Sequence, residues 1–402
     1  MRVLILDEEF PYPTNSGKRT RSFNLYSRLA GHHDIRYVAY GDEQSEPARA
    51  LRRHGIEPVP VRRRIPAKQG AAFYLRLIAN LASPLPYIVS SHFSRHFRDE
   101  VRASVAAFRP DLVLCEWTPY AIYVRDLTSA TRLVSAHNVE ADIWQRYFEN
   151  ESNPLRRWYI AEQWRKVDRF ERSTVRFADA VLAVSELDRA RFQAYAPGTP
   201  VAVIPNGVDL DYFQPMDAPA ERRQIVFTGS MDWRPNQDAA RYFAAEILPL
   251  LRRSRPDLEC TFVGRDPPRD IVALSRVPGI RVSGTVDDVR PYVAGAAVYV
   301  VPLRVGGGSR LKILEALAMG RPVVSTTVGA EGLEVEHGQH VLLADSPGAF
   351  AQAVLDLLDD PARCASLAAA GRRLVEQKYG WDALAEQLDQ FIRGLVREEQ
   401  VG

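Results

Sequence analysis

Residues 296–333 read AAVYVVPLRVGGGSRLKILEALAMGRPVVSTTVGAEGL. Their first apolar run ends at Pro302 and predicts a buried strand. Three glycines and a serine follow, and from about Gly308 the apolar residues recur at the spacing of an amphipathic helix. A second short apolar run, 322–326, predicts another strand. A strand, a glycine loop, a helix and a strand in this order are typical of the βαβ unit of a parallel sheet.

The same alternation of short apolar runs and longer amphipathic segments continues along the whole chain, so we predict an α/β fold. The predicted strands are 2–7, 34–40, 111–116, 132–136, 180–184, 201–205, 224–229, 259–264, 280–284, 297–302, 322–326 and 340–344. They form two doubly wound, Rossmann-like sheets, because a segment rich in Pro, Asp and Gly interrupts the pattern.

The predicted domain order follows from that interruption. An N-terminal domain spans 1–205, a linker spans 206–223 and a C-terminal domain spans 224–380. The last segment, 381–402, begins with a helix that can cross back onto the first domain. Ligands of open α/β sheets bind outside the carboxyl ends of the strands, so we expect the two domains to face each other across a cleft.

Composition excludes several classes of protein. The chain has 402 residues, 46% of them hydrophobic, which argues against a disordered or fibrous protein. Lys and Arg total 52 against 50 for Asp and Glu, so a heavily basic nucleic-acid binder is not expected. Three scattered cysteines and the lack of an apolar run of about 18 residues favour a cytoplasmic protein whose membrane contact, if any, is peripheral.

The glycine loop predicts an anion site. Backbone N–H groups of Gly307, Gly308 and Ser309 can approach a phosphate where a helix begins. Lys312 and Glu315 share one face of that helix, so Lys312 can meet phosphate oxygens and Glu315 can accept hydrogen bonds from a ribose diol. The alternative is an ordinary i, i+3 surface ion pair worth a few tenths of a kcal/mol.

Here the sequence resembles a known family. The run 306–332, with VIPNGVDLDYF (203–213), FTGSMDWRPN (227–236), TFVGRDPP (261–268) and VSGTVDDVRPY (282–292), is similar to the retaining glycosyltransferases of family 4. These enzymes have the GT-B fold of two facing Rossmann-like domains. The likeness covers nearly the whole C-terminal half and is looser in the N-terminal half.

The resemblance implies roles for the glycine loop. Glu315 matches the second glutamate of the family's paired-glutamate motif, which binds the nucleotide ribose. The first glutamate falls at Gly307, so the amides of Gly307, Gly308 and Ser309 are expected to take over its contact with the donor sugar.

The family's basic pair is also changed. Ser230 follows Gly229 where an arginine is usual, and Asn236 stands where a lysine is usual. The resemblance then assigns neutralisation of the diphosphate to Arg310 and Lys312, with Arg234 in reserve. Gly229 and Ser230 are expected to line the donor site, and the nucleotide base is expected near Val286, between that residue and Asp288.

One histidine is a candidate in the first domain. His137 ends a predicted strand in the sequence SAHN (135–138), as the family's first-domain histidine does, so we expect it at the donor sugar or transition state. Glu116, at the end of the preceding strand, is a weaker candidate. The alternative for His137 is a packed, hydrogen-bonded residue of the core.

Two further motifs invite comparison with phosphate and metal sites. Gly17, Lys18 and Arg19 follow the first strand but fail the P-loop pattern, so they suit either a loop over the diphosphate or acceptor, or an ordinary βα turn. The pair Asp209 and Asp211 matches the metal-binding DxD of a different glycosyltransferase fold. It opens the predicted linker, so we expect no obligatory metal.

The stretch 51–81 combines basic residues with apolar and aromatic ones. The basic residues are Arg52, Arg53, Arg62, Arg63, Arg64 and Lys68, and the others are Phe73, Tyr74, Leu75 and Ile78. This combination suits docking on an anionic membrane, where each basic residue contributes about 1 kcal/mol. A solvated surface loop is the alternative.

The sequence therefore predicts a retaining glycosyltransferase that moves a sugar from a nucleoside-diphosphate sugar, with UDP or GDP, to a hydroxyl of a glycan, lipid-linked or small-molecule acceptor. A nucleotide-sugar epimerase or hydrolase on the same scaffold, and a non-catalytic nucleotide-sugar-binding subunit, remain alternatives. The family's usual setting is bacterial polysaccharide or glycolipid synthesis.

Overall fold

The computed structural model describes residues 1–62, 70–216, 221–305 and 310–401. Contacts within the chain divide it into two compact units. Unit 1 comprises Met1–Pro205 and Leu384–Gly402, and unit 2 comprises Asn206–Ala383.

Unit 1 contains one parallel sheet. Its strands are β1 (Arg2–Glu9), β2 (Asp34–Tyr40), β3 (Ile56–Val61), β4 (Leu112–Glu116), β5 (Thr131–Ser135), β6 (Ala180–Ala183) and β7 (Val201–Val203). Within the described part of unit 1 these seven strands follow the order β3-β2-β1-β4-β5-β6-β7. The order reverses between β1 and β4, and the loops after neighbouring strands part there to leave a crevice.

Unit 2 contains a second parallel sheet. Its strands are β8 (Glu221–Thr228), β9 (Glu259–Val263), β10 (Ile280–Gly284), β11 (Ala296–Val301), β12 (Val323–Ser325) and β13 (Leu342–Leu343). Among residues 206–216, 221–305 and 310–383 these six strands follow the order β10-β9-β8-β11-β12-β13. Here the order reverses between β8 and β11, the arrangement of a Rossmann-type sheet.

Helices connect the strands and cover the sheets. In unit 1 they are α1 (Gly17–Leu29), α2 (Glu46–Arg53), α3 (Ala71–Leu81), α4 (Tyr87–His92), α5 (Arg95–Phe108), α6 (Glu140–Asn150), α7 (Pro154–Phe177) and α8 (Glu186–Tyr195). Unit 2 has α9 (Arg234–Tyr242), α10 (Leu248–Ser254), α11 (Arg269–Ala273), α12 (Arg290–Gly295), α13 (Leu311–Ala318), α14 (Pro347–Asp359) and α15 (Pro361–Lys378). The last helix, α16 (Trp381–Val401), belongs to unit 1 from Leu384 onward.

The central strands are apolar because helices bury both faces of a parallel sheet. Val3, Leu4, Ile5 and Leu6 of β1 are at most 1% exposed. This burial explains why the strands appear in the sequence as short continuous apolar runs rather than as alternating patterns.

The structure confirms the predicted α/β class with two parallel sheets. Each predicted strand is present, with its ends displaced by at most three residues. Strand β3, which the sequence analysis did not predict, contains Pro58 and Pro60 and lies at the edge of its sheet. A proline is tolerated there because its missing N–H is not needed on the open side.

The predicted linker 206–223 has structure of its own. Strand β8 already begins at Glu221, three residues before its predicted start. Val208 N donates to Tyr379 O at 2.8 Å, and the Asp209 carboxylate accepts the N–H groups of Asp211 and Tyr212 at 3.1 and 3.0 Å. The described helices include none long and apolar enough to cross a membrane.

Candidate functional site

The turn after β8 packs backbone against backbone with the turn after β9. A Cβ added to Gly264 would lie 1.7 Å from the carbonyl oxygen of Gly229, and Met231 N donates to Arg265 O at 2.9 Å. A Cβ on Gly229 would lie 2.7 Å from both Asn236 Nδ2 and Lys312 Nζ. Glycine is therefore required at 264, whereas a side chain at 229 would displace the ends of Asn236 and Lys312. Gly229 lies directly beside the Lys312 ammonium.

Lys312 is held in place from two sides. Its Nζ donates to Asn236 Oδ1 at 2.7 Å and lies 4.4 Å from the centre of the Phe227 ring. Burial lowers the pKa of Lys312 to about 7. The repulsion of Arg310 adds to this shift, and the attraction of Glu315 opposes it. A bound anion would restore the charge of this lysine, so its position suits a phosphate ligand.

Glu315 lies one turn further along α13. No described residue donates a hydrogen bond to its carboxylate, and burial raises its pKa to about 7 against the attraction of Lys312. A half-buried carboxylate to which no described residue donates is costly, and such groups are typical of binding sites. A vicinal diol would supply two donors to it.

Of the other residues predicted in the glycine loop, the structure describes only Arg310. Gly307, Gly308 and Ser309 lie outside the described residues. Arg310, directly before α13, is 7% exposed, and its Nη2 lies 3.3 Å from Glu331 Oε2. Its charge is therefore balanced within the protein.

The predicted base-binding segment follows β10. Val286 is half-buried against the core of unit 2. Asp288 and Arg290 form an ion pair of 2.8 Å, and the Arg290 guanidinium stacks 3.7 Å from the centre of the Tyr212 ring. The ion pair and the contact with the Tyr212 ring hold the loop that contains Val286.

In unit 1, carboxylates occupy the crevice between β1 and β4. Lys18 Nζ contacts Asp7 Oδ1 at 2.5 Å and Glu8 Oε1 at 3.2 Å, and Tyr37 donates to Asp7 Oδ2 at 2.6 Å. Burial acts to lower the pKa of Lys18, but Asp7 and Glu8 outweigh it and raise the pKa, so the ammonium remains charged.

The loop before α1 is also charge-compensated. Gly17 is the first residue of the helix, and the Ser16 side chain caps it by accepting from Arg19 N. Arg19 forms an ion pair with Glu9. Lys18 and Arg19 are thus turned onto the end of β1 and add no uncompensated positive charge.

Glu116 and His137, both predicted as candidates, lie together. His137 Nε2 is 2.9 Å from Glu116 Oε1, although Glu116 ends β4 and His137 follows β5. Ser22 donates to Glu116 Oε1 at 2.7 Å, and Tyr26 donates to Oε2. Burial acts to raise the pKa of the fully buried Glu116, but His137, Arg21 and Tyr26 outweigh it and lower the pKa to about 2.

The backbone is strained directly after Glu116. Trp117 has φ 99°, a conformation that side-chain-bearing residues rarely adopt and that is concentrated at functional sites. Its indole donates to Glu140 Oε1 at 2.7 Å, and Lys18 Nζ lies 5.3 Å from the centre of its ring. Trp117 therefore follows Glu116 directly and contacts both Glu140 and Lys18.

The described residues contain no group of three or more His, Cys, Asp or Glu arranged to hold a metal ion. Asp209 of the DxD pair is instead occupied with its own turn.

Sequence reasoning did not single out several residues that the structure brings to these sites. They are Ser22, Tyr26, Trp117 and Arg265, together with His92, whose Nε2 lies 3.4 Å from Glu8 Oε2. A usable signal existed for Arg265, which follows β9 closely in VGR, at the carboxyl edge where ligands bind.

Fold and sites together define a chain of two Rossmann-like domains with polar residues at both topological switch points. Two family models match it: a "Glycosyl transferase 4-like domain" at residues 16–207 and "Glycosyl transferases group 1" at residues 222–360. The chain belongs to the GT-B glycosyltransferases of the family 4 type.

Among curated relatives, the chain is 31% identical over 242 residues to a GDP-mannose-dependent alpha-(1-6)-phosphatidylinositol monomannoside mannosyltransferase of Mycobacterium tuberculosis. That match takes in 54% of this chain and 62% of the relative, so it spans less than two thirds of either protein.

Solved structures share the fold over nearly the full length. Sucrose-phosphate synthase of Thermosynechococcus elongatus superposes with a TM-score of 0.75 at 18% identity, covering 99% of this chain and 100% of that one. HepE of Anabaena in complex with UDP gives 0.70 at 13% identity, covering 98% and 100%.

Proposed function

We propose that the protein is a retaining glycosyltransferase that moves a sugar from a nucleoside-diphosphate sugar to an acceptor hydroxyl. The observation that carries the proposal is the pair Lys312 and Glu315 at the β8/β11 switch point: an anion-seeking ammonium beside Gly229 and a carboxylate without a described donor one turn away. A nucleoside diphosphate satisfies both groups, with phosphate at Lys312 and ribose at Glu315.

The chemical task is to stabilise the departing diphosphate while the anomeric carbon gains positive charge. Lys312 supplies a fixed cation for the leaving group. The amides of 307–309 keep the supporting role that the sequence predicts. Arg310 is paired with Glu331 and is therefore not assigned a direct contact with the diphosphate. His137 is assigned to the donor sugar or the transition state, with Glu116 Oε1 2.9 Å from its Nε2.

The donor is a UDP- or GDP-sugar. The mycobacterial relative is named as GDP-mannose-dependent, and HepE was solved with UDP. We assign the base to the segment at Val286, which Asp288 and Arg290 hold in place. No obligatory metal is proposed.

The acceptor is a glycan or lipid-linked hydroxyl in bacterial polysaccharide or glycolipid synthesis, at the inner face of the plasma membrane. Helix α3 exposes Tyr74, Leu75 and Ile78 to 64%, 66% and 64%. These side chains share the basic stretch 51–81, whose residues 63–69 lie outside the described ones. A stretch of sequence that combines exposed apolar side chains with basic residues suits the surface of an anionic membrane.

The decisive experiment incubates the protein with UDP-, GDP- and dTDP-sugars, with and without glycolipid and glycan acceptors. A stable glycoside formed only with acceptor, with the anomeric configuration of the donor kept by NMR, is the expected result. Turnover without acceptor would favour the epimerase or hydrolase. Donor binding without turnover across the whole panel would favour a binding subunit.

Membrane docking is tested by sedimentation with vesicles of phosphatidylglycerol and of phosphatidylcholine. Leu75→Ser with Ile78→Ser should reduce binding to the anionic vesicles at least tenfold, since burying each side chain contributes about 1.5–3 kcal/mol. Leu187→Ser is the matched control, because Leu187 is 63% exposed on α8. Equal binding of both variants would remove α3 from the membrane contact.

A further inference from the structure

Two positions of unit 2 lack the charge that the family resemblance predicts. Ser230 and Asn236 stand where the family has an arginine and a lysine. A nucleoside diphosphate carries more than one negative charge, and Lys312 by itself balances only one. Arg310 is only 7% exposed and is paired with Glu331.

A chain of hydrogen bonds connects these two positions to two cations from elsewhere in the sequence. Lys312 Nζ donates to Asn236 Oδ1 at 2.7 Å, and Asn236 Nδ2 donates to Ser230 O at 2.8 Å. Arg265 Nε donates to Ser230 Oγ at 2.7 Å. The neutral residues at 230 and 236 thus each accept a hydrogen bond from a cation that comes from another part of the chain.

The fold explains why Arg265 reaches this place. It is the second residue after β9, the neighbour of β8, and the glycine contact between 229 and 264 brings the two turns together. The Arg265 side chain is 41% exposed, whereas Arg310 is 7% exposed. Of these two arginines, Arg265 is the one that a ligand in solvent can reach.

We propose that Arg265 is the second cation of the diphosphate site, replacing the arginine that the family carries at the position of Ser230. The inference rests on the proposed function. Ser230 and Asp232 are positioning residues: the Ser230 hydroxyl accepts from Arg265 and donates to Asp232, whose carboxylate lies 3.8 Å from the guanidinium. The planar guanidinium then offers two parallel donors to phosphate oxygens.

The test is calorimetric titration of the full chain with UDP and GDP and with the corresponding monophosphates. Arg265→Gln should weaken binding of the diphosphate about 10- to 100-fold, the usual range for a charge-assisted contact, and should weaken the monophosphate less. Arg241→Gln is the matched control, because Arg241 is another exposed arginine of unit 2 paired with a carboxylate, Asp270. It should leave both affinities unchanged.

A second variant separates charge from structure. Ser230→Arg in the Arg265→Gln background should restore at least part of the diphosphate affinity, because it returns an arginine to the family's position. Unchanged diphosphate binding by Arg265→Gln would overturn the inference alone. An equal loss for diphosphate and monophosphate with a lower melting temperature would also overturn it, as a structural role. Failure of the unaltered protein to bind either diphosphate would overturn the proposed function as well.

Discussion

Replacing Glu315 by glutamine should stabilise the empty protein and weaken its binding of a nucleotide. The carboxylate is half-buried, no described residue donates a hydrogen bond to it, and burial raises its pKa from 4.5 to about 7. Ionisation of Glu315 is therefore easier in the unfolded chain than in the folded one. Glutamine has nearly the same shape and no charge, so it removes this cost.

The magnitude follows from the pKa shift. Each unit corresponds to about 1.4 kcal/mol, so a rise from 4.5 to about 7 costs roughly 3 kcal/mol at pH 8, where both states are ionised. The cost is absent well below pH 4.5 and grows as the pH rises towards 7. At pH 5 the folded state is protonated and the unfolded state is mostly ionised, so roughly 1 kcal/mol or less remains.

The assay is thermal unfolding of unaltered protein and Glu315→Gln at pH 8 and pH 5, followed by calorimetry with UDP and GDP. For a domain of this size 1 kcal/mol shifts the melting temperature by about 2–4 °C, so the variant should melt roughly 6–12 °C higher at pH 8 and at most about 4 °C higher at pH 5. Nucleotide affinity should fall by about 1–3 kcal/mol, since a charge-assisted contact to the ribose is lost.

Glu336→Gln is the control, because Glu336 is an exposed carboxylate of the same unit and should change stability by less than about 0.5 kcal/mol. A destabilised Glu315→Gln protein would refute the reasoning, because it would mean that the carboxylate has a partner in the empty state. Unchanged nucleotide affinity would remove Glu315 from the site.

Three further predictions concern the remaining groups. Nucleoside diphosphate binding at pH 8 should be accompanied by uptake of up to about one proton, because Lys312 with a pKa of about 7 is mostly neutral there and an anion recharges it. Calorimetry in HEPES and in Tris measures the uptake, which Lys312→Met should abolish. Glu116→Gln should lower the pKa of the His137 imidazole further, since burial already lowers it and Glu116 opposes that effect; an NMR titration that shows a rise would contradict the pairing. EDTA and Asp209→Asn should both leave turnover within about twofold. The Asp209 side chain serves its own turn, and an asparagine oxygen can still accept the N–H groups of Asp211 and Tyr212. A strong loss with EDTA would revive the DxD interpretation.

Part of the candidate site could be predicted from the sequence because its signals are local. A helix that follows a glycine loop places Lys312 and Glu315 on one face whatever surrounds it. The same holds for Gly229, which lies at the end of a predicted strand. Strand β3 was missed for the opposite reason: its prolines are acceptable only because β3 is an edge strand, and sheet order is not a local property.

Contacts between strand ends could not be predicted in this way. The sequence ranked Glu116 below His137, but the structure shows their side chains 2.9 Å apart, with Ser22 and Tyr26 on the same carboxylate. Arg310 appeared as available as Lys312 in the sequence, and only its burial against Glu331 distinguishes them.

The sequence by itself determined the two parallel sheets, the order of their strands along the chain and the face that carries Lys312 and Glu315, because hydrophobic periodicity and helical spacing act over a few residues. The tertiary structure decided which strand ends become neighbours. That choice brings Arg265 to Ser230 across 35 positions and His137 to Glu116 across two strands, because the carboxyl ends of adjacent parallel strands share one edge of the sheet.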